Sequence, residues 1–259
     1  QLSSENENKV TLIPAIKEVG LSTVSECILG LPGETFQSHV DTLRNLVKAK
    51  IDNIQVFTCM MLPGSELATP QERKKWNLET RYRILPRDFT QLKNKKIILE
   101  TEECVISSDS LSFDEYVELR LLAFILWTTN VQVAYDSIKK LFSELKLDIF
   151  ELFFQILKTN NTAPPGVQEV MNSYREATKN ELWDSPEEIM EYFQKESEYE
   201  KLLNEEAGIN VIQFHHAMVM SKYFEEWTEN VILVAENLIK SKINFDEILE
   251  VKFQNIANY

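Results

Sequence analysis

Glycine becomes scarce early in this chain. Of six glycines in 259 residues, Gly20, Gly30, Gly33 and Gly64 fall in the first 64, and only Gly166 and Gly208 follow. Glycine-punctuated strand–helix turns are therefore expected at the start and a helical array afterwards. Cysteine is also sparse. Cys27, Cys59 and Cys104 are 32 and 45 residues apart, an odd and widely spaced set that excludes a disulfide framework or a close-spaced metal motif. Free thiols fit a reducing, cytoplasmic setting, and Cys27 and Cys59 fall in predicted strands as small packing residues. Histidine offers little: His39 stands alone, and His215 and His216 are adjacent, about 100° apart on a helix and unable to chelate one metal together.

No apolar run approaches the roughly 18–20 residues that a membrane span requires. The greasiest stretch, Leu121 to Trp127, follows Arg120 directly and reads as a buried core helix. Positive charge is missing from the second part. Residues 1–105 carry 14 Lys/Arg against 14 Asp/Glu, whereas residues 106–259 carry 13 against 27, which accounts for the whole net charge of −14. Such a surface repels phosphate backbones, so nucleic acid is excluded as a partner of that part. The chain begins at Gln1 with no secretory leader and is read as part of a longer polypeptide.

The first part spells helix, strand, helix, strand, helix. Lys9 to Val19 reads as a helix tail stopped by Gly20. Thr23 to Leu29 is a predicted strand, and Thr35 caps a helix whose apolar positions Phe36, Val40, Leu43 and Val47 step by four, three and four. Asn53 to Met61 is a second strand, ended by Leu62-Pro63-Gly64-Ser65, with a short polar helix after it. Two strands joined through a helix by short connections make a parallel βαβ unit. Residues 66–105 are less regular, with Arg81, Arg83 and Arg87 set among apolar residues, either to bind an anionic group or to pair with nearby acids. Asn94 to Glu103 is mostly charged and reads as a link. From Ser112 the chain is helical: Ser112–Glu115 and Ser185–Glu188 are capping boxes, and further helices are predicted over Val131–Leu145, Ile149–Lys158, Val167–Trp183, Val211–Lys240 and Phe245–Ile256. The acidic run from Glu181 to Glu206 reads as a solvated helix face, with docking to a partner as the lesser alternative.

Gly30-Leu31-Pro32-Gly33-Glu34-Thr35 lies where ligands sit in α/β folds, at the carboxyl end of a strand. It is a poor phosphate loop, because Glu34 occupies the place where a P-loop needs lysine, and a poor dinucleotide fingerprint, because Phe36 occupies the third glycine position. A plain strand-to-helix turn remains an equal reading on these grounds.

The string Glu26-Cys27-Ile28-Leu29-Gly30-Leu31-Pro32-Gly33-Glu34-Thr35 resembles the fifth-strand motif of radical S-adenosylmethionine enzymes, Gly-x-Ile-x-Gly-x-x-Gly-Glu, with Glu26 in place of the first glycine. Asp52 to Leu67 resembles the sixth strand with its Leu-Pro-Gly-Ser turn. Arg81 to Phe89 is similar to a segment that follows the barrel in members with an N-terminal cobalamin-binding domain. The resemblance implies an α/β chain. Residues 1–92 would be the C-terminal part of a radical S-adenosylmethionine β/α barrel, 93–110 a linker, and 111–259 an all-α acidic domain. It implies that Ile28 and Gly30 lie along the adenine of S-adenosylmethionine, with Leu62 and Pro63 at the neighbouring strand end. It also implies a [4Fe-4S] cluster, a possible cobalamin, a small-molecule substrate, and an electron donor such as a flavodoxin or ferredoxin. The family's Cys-x-x-x-Cys-x-x-Cys triplet is absent here. Its place lies upstream, so this chain is expected to supply no catalytic or metal-ligating residue and to be inactive alone. Two other readings stay open: a non-catalytic half-barrel with a helical interaction module, and a different barrel enzyme that holds a phosphate-bearing ligand at the glycine turn.

Overall fold

The computed structural model describes residues 18–130, 132–243 and 246–257, together with Ile13 and Ile16. Most of the expected Lys9–Val19 helix lies outside the described residues. Its stop is visible: Gly20 is left-handed at φ +77°, and Leu21 N–H donates to Ile16 O at 3.2 Å, which closes a helix end in the Schellman manner.

The parallel unit forms as expected. Strand β1 (Val24–Leu29) pairs in parallel with β2 (Asn53–Thr58), and helix α1 (Phe36–Lys48) crosses between them. Thr35 caps α1 in a capping box closed by Ser38, and Val40, Leu43 and Val47 are the apolar face that it buries. After the short helix α2 (Pro70–Lys75) comes an antiparallel hairpin, β3 (Glu79–Gln91) with β4 (Ile97–Ser107).

This hairpin departs from the sequence reading. Residues 97–107, within the stretch expected to link two domains, are the second strand. Two of their three acids meet cross-strand and helix partners: Glu102 pairs with Arg83 on β3, and Glu103 holds Arg73 of α2, with Nη2 to Oε2 at 2.8 Å, while Glu100 is exposed. Residues 59–61 stitch the two sheets together. Cys59 N–H donates to Leu29 O (2.7 Å), while Val105 N–H donates to Cys59 O (2.9 Å) and Met61 N–H to Glu103 O (2.8 Å). Among the described residues the sheets are two two-stranded pairs and do not close into a barrel.

The helices follow in order: α3 (Phe113–Asn130), α4 (Asp136–Glu144), α5 (Ile149–Lys158), α6 (Pro165–Asn180), α7 (Pro186–Phe193), α8 (Glu196–Leu203), α9 (Val211–Met218), α10 (Phe224–Lys242) and α11 (Glu247–Ala257). Ser112 and Glu115 form the expected reciprocal cap of α3. The helix expected over 211–240 is interrupted by a π-helical turn at Val219–Tyr223.

Helix α3 is buried on every side, from Tyr116 and Val117 through Leu119 to Leu126, so it is the axis of the molecule. It packs against α1, α5, α6, α9 and β2. Cys27, Leu29, Val40 and Ile54 from the parallel unit join Phe124, Phe150, Tyr174 and Trp227 in one hydrophobic core. The two parts expected as separate domains thus share their largest apolar cluster. Phe124 sits at its centre, stacked on Tyr174 (4.8 Å between centroids) and edge-on to Trp227 (5.7 Å). A smaller cluster joins Ile84, Ile97 and Leu99 of the hairpin to Ile189, Phe193, Tyr199 and Leu202.

Candidate functional site: two matched strand ends and a part-buried ion-pair cavity

Both parallel strands end in the same device. Glu34 N–H donates to Leu31 O (3.0 Å) around Pro32 and Gly33, and Ser65 N–H donates to Leu62 O (3.0 Å) around Pro63 and Gly64. Gly33 (φ +80°) and Gly64 (φ +84°) occupy the left-handed position of a Pro-Gly type II turn, which side chains rarely adopt. The β1 turn is pinned further. The Glu34 carboxylate accepts Gly30 N–H at Oε2 (2.7 Å) and His39 Nδ1–H at Oε1 (2.8 Å), and the Glu34 carbonyl accepts Ser110 Oγ–H (2.7 Å). His39 is fully buried behind it, and its Nε2 has no partner. The protein's own carboxylate therefore takes the amide that a phosphate would need, which argues against the phosphate-loop reading.

The four residues expected along S-adenosylmethionine fall in two groups. Ile28 is 47% exposed and sits opposite Phe57 of β2, also 47% exposed, on the less covered face of the pair. Leu62 is 58% exposed, and Pro63 is exposed with it in the second turn. Gly30 is buried. A Cβ there would stand 3.3 Å from the Val105 carbonyl oxygen, and φ is +93°. The fold alone thus demands glycine at position 30, for close packing against β4. Leu31 and Met60, both exposed, extend the apolar surface of Ile28 and Phe57.

A second feature lies beside β2. A cavity of about 360 Å³ is lined by Val56 to Thr58 and Met60, the hairpin residues Arg83 to Pro86 and Glu102, Arg120 and Ala123 of α3, Tyr174 of α6, Glu181, and Ile209 to Ile212. The register of the hairpin slips between Ile84 and Phe89, and Arg87 there is left-handed at φ +69°. Pro86, which has no N–H for a ladder, sits in this bulge, and the bulge forms one wall of the cavity.

The cavity wall carries four charges. Glu181 pairs with both Arg120 and Arg83, and Arg83 pairs in turn with Glu102. Arg120 Nη1–H also donates to Tyr116 Oη (3.3 Å), which is 3.1 Å from Thr58 Oγ1 at the end of β2. Burial works against the charge of Arg120, but the Glu181 carboxylate outweighs it and holds the guanidinium well above its ordinary value. Arg83 is shifted in the same direction by the same balance. Burial pushes the Tyr174 phenol up to about 12, with Arg120 pulling the other way.

All three arginines of the 81–87 stretch are matched to acids: Arg81 to Asp184 (3.0 Å), Arg83 to Glu102 and Glu181, and Arg87 to Glu205 (3.0 Å). Glu181 departs from the solvated face expected for the acidic run, because the guanidiniums draw it inward. Reading the sequence missed Arg120, Glu102 and Glu181 as one cluster. The available signal was Arg120 itself, a cation inside an otherwise apolar helix.

The remaining candidates are structural. His215 Nδ1–H donates to Val211 O (2.8 Å) and its Nε2 accepts from Ser173 Oγ (3.0 Å), while burial lowers its affinity for protons. All three thiols are free and buried. Burial pushes Cys27 up to about 11 and Cys104 up to about 12. Among the described residues no group of three His, Cys, Asp or Glu side chains is placed to hold a metal, and no helix is long and apolar enough to cross a membrane. No family model and no curated protein matches the sequence.

Proposed function

We propose that this chain is the C-terminal part of a radical S-adenosylmethionine enzyme, cobalamin-dependent in its intact form and directed to radical C-methylation or a related reaction. The observation that carries the reading is the pair of parallel strands with matched Leu-Pro-Gly turns and a bare Ile28–Phe57 face beside them. An adenine ring needs a flat apolar support and backbone groups within reach. Ile28, Phe57 and Leu62 offer the support, and β1 has a strand partner on one edge only among the described residues. Glu34 and His39 hold the turn in place, so the shelf is preorganised rather than formed on binding.

The residues present fit the nucleoside end of S-adenosylmethionine and nothing more. They do not fit an iron–sulfur cluster: three separate buried thiols cannot cap one, since thiolates are the ligands it needs and burial here opposes the thiolate form. In the family pattern the cluster cysteines and the cobalamin domain lie N-terminal to the β1 motif. The full polypeptide would draw its electron from a flavodoxin- or ferredoxin-like donor. S-adenosylmethionine, when bound, supplies the 5′-deoxyadenosyl group that abstracts hydrogen from substrate. The task of this chain is to orient that group and to keep water from it.

The test is S-adenosylmethionine binding to the polypeptide together with its preceding sequence, measured by calorimetry. Binding weakened at least tenfold by Ile28→Asp supports the reading. Absence of binding overturns it, as does inorganic phosphate binding at the Gly30–Gly33 turn.

A further inference from the structure

The cavity beside β2 adjoins the adenine shelf, sharing Phe57 and Met60 with it, and its own chemistry selects for a kind of occupant. We infer that it binds an uncharged, largely apolar molecule carrying one hydrogen-bonding end, such as an amide or a hydroxyl. At about 360 Å³ it is at the small end of ligand pockets. Its walls are mostly aliphatic, with Val56, Met60, Leu85, Pro86, Ala123 and Ile212 among them. Its charges are two arginines and two glutamates, and all four are engaged with one another.

That balance disfavours ions. An anionic head, whether it shares a guanidinium or draws one from its carboxylate, leaves the balanced cluster with one uncompensated negative charge. A cationic head leaves one uncompensated positive charge. Uncompensated buried charge is the most costly outcome available to such a network. A neutral head leaves every pair intact. Arg83 bonds its acids through Nε and Nη1, and Arg120 bonds Tyr116 and Glu181 through Nη1, so of five N–H donors on each guanidinium some remain for a carbonyl or hydroxyl oxygen. Tyr174 and Asn210 add polar groups to the same wall. The bulge at Leu85–Asp88 holds the space open, because a regular strand there would continue the β3–β4 ladder.

If the chain belongs to a radical enzyme, this occupant is its substrate; that step rests on the reading above, whereas the occupancy does not. The experiment titrates the full chain with hexanamide, hexanoate and hexylammonium, three probes alike except for the charge of the head. Methyl resonances of Met60 and Ala123 report binding. Hexanamide is expected to shift both and saturate, with each ion binding at least tenfold more weakly. Leu85→Trp and Ile212→Trp, two separate fillings of the cavity, are each expected to abolish the shifts with an unchanged far-UV circular dichroism spectrum. The inference is overturned if hexanamide produces no shift up to its solubility limit, if either ion binds as tightly, or if both tryptophan variants respond like the parent chain. A parallel S-adenosylmethionine titration of the polypeptide together with its preceding sequence keeps the two readings apart: hexanamide binding without S-adenosylmethionine binding there overturns the functional reading and leaves this one standing.

Discussion

The two faces of the β1–β2 pair are treated in opposite ways. One face sends Cys27, Leu29 and Ile54 into the main core, against α1 and the all-round buried helix α3. The other leaves Val24, Ile28 and Phe57 in solvent, with Leu31, Met60 and Leu62 exposed nearby. Strand alternation makes the difference possible, since neighbouring side chains point to opposite faces. A folded protein surface seldom leaves a contiguous apolar patch bare without a use for it. The covered face should therefore govern stability and the bare face binding.

The sharpest way to break this contrast is at the core. Phe124→Ala removes the ring that contacts Tyr174 and Trp227, and should lower unfolding stability by about 3–5 kcal/mol in a urea melt. The part-buried ion pairs come next. Glu181→Leu strands Arg120 and deprives Arg83 of one partner, with an expected loss of about 3 kcal/mol. Adding Arg120→Met should restore at least half of that loss, because Arg83 keeps Glu102; a double variant weaker than the single would mean that the network is not the source. Gly30→Ala forces a Cβ toward the Val105 carbonyl at positive φ and should cost about 2 kcal/mol. Glu34→Gln weakens the clasp on Gly30 and His39, and a loss of about 1 kcal/mol is expected in the same melts. The smallest effect belongs to the bare face. Ile28→Ser should move stability by less than about 0.5 kcal/mol while weakening S-adenosylmethionine binding to the intact polypeptide at least tenfold. A stability loss as large as that of Phe124→Ala would erase the distinction between the faces.

Much of the fold was legible because its signals are local. Thr35, Ser112 and Ser185 each cap a helix as their spacing indicates, with Glu188 N–H donating to Ser185 Oγ at 3.1 Å. The two Pro-Gly turns follow from residue type alone. The hairpin was not legible: Arg83, Glu102 and Glu103 look like the charges of a solvated link until each meets a partner distant in the chain. The cavity was invisible for the same reason, since its walls come from β2, the hairpin, α3, α6 and the segment before α9.

The sequence by itself determined the strand–helix–strand unit, its left-handed glycines and the helical character of the second part, because turns, caps and apolar periodicity act within a few residues. Only the tertiary structure decided that both parts share one core, that Glu34 closes its own turn, and that Glu181 leaves the solvated face to join Arg83 and Arg120. Those outcomes depend on which distant groups the packing brings within a few ångströms, and at such separations burial and charge outweigh local preference.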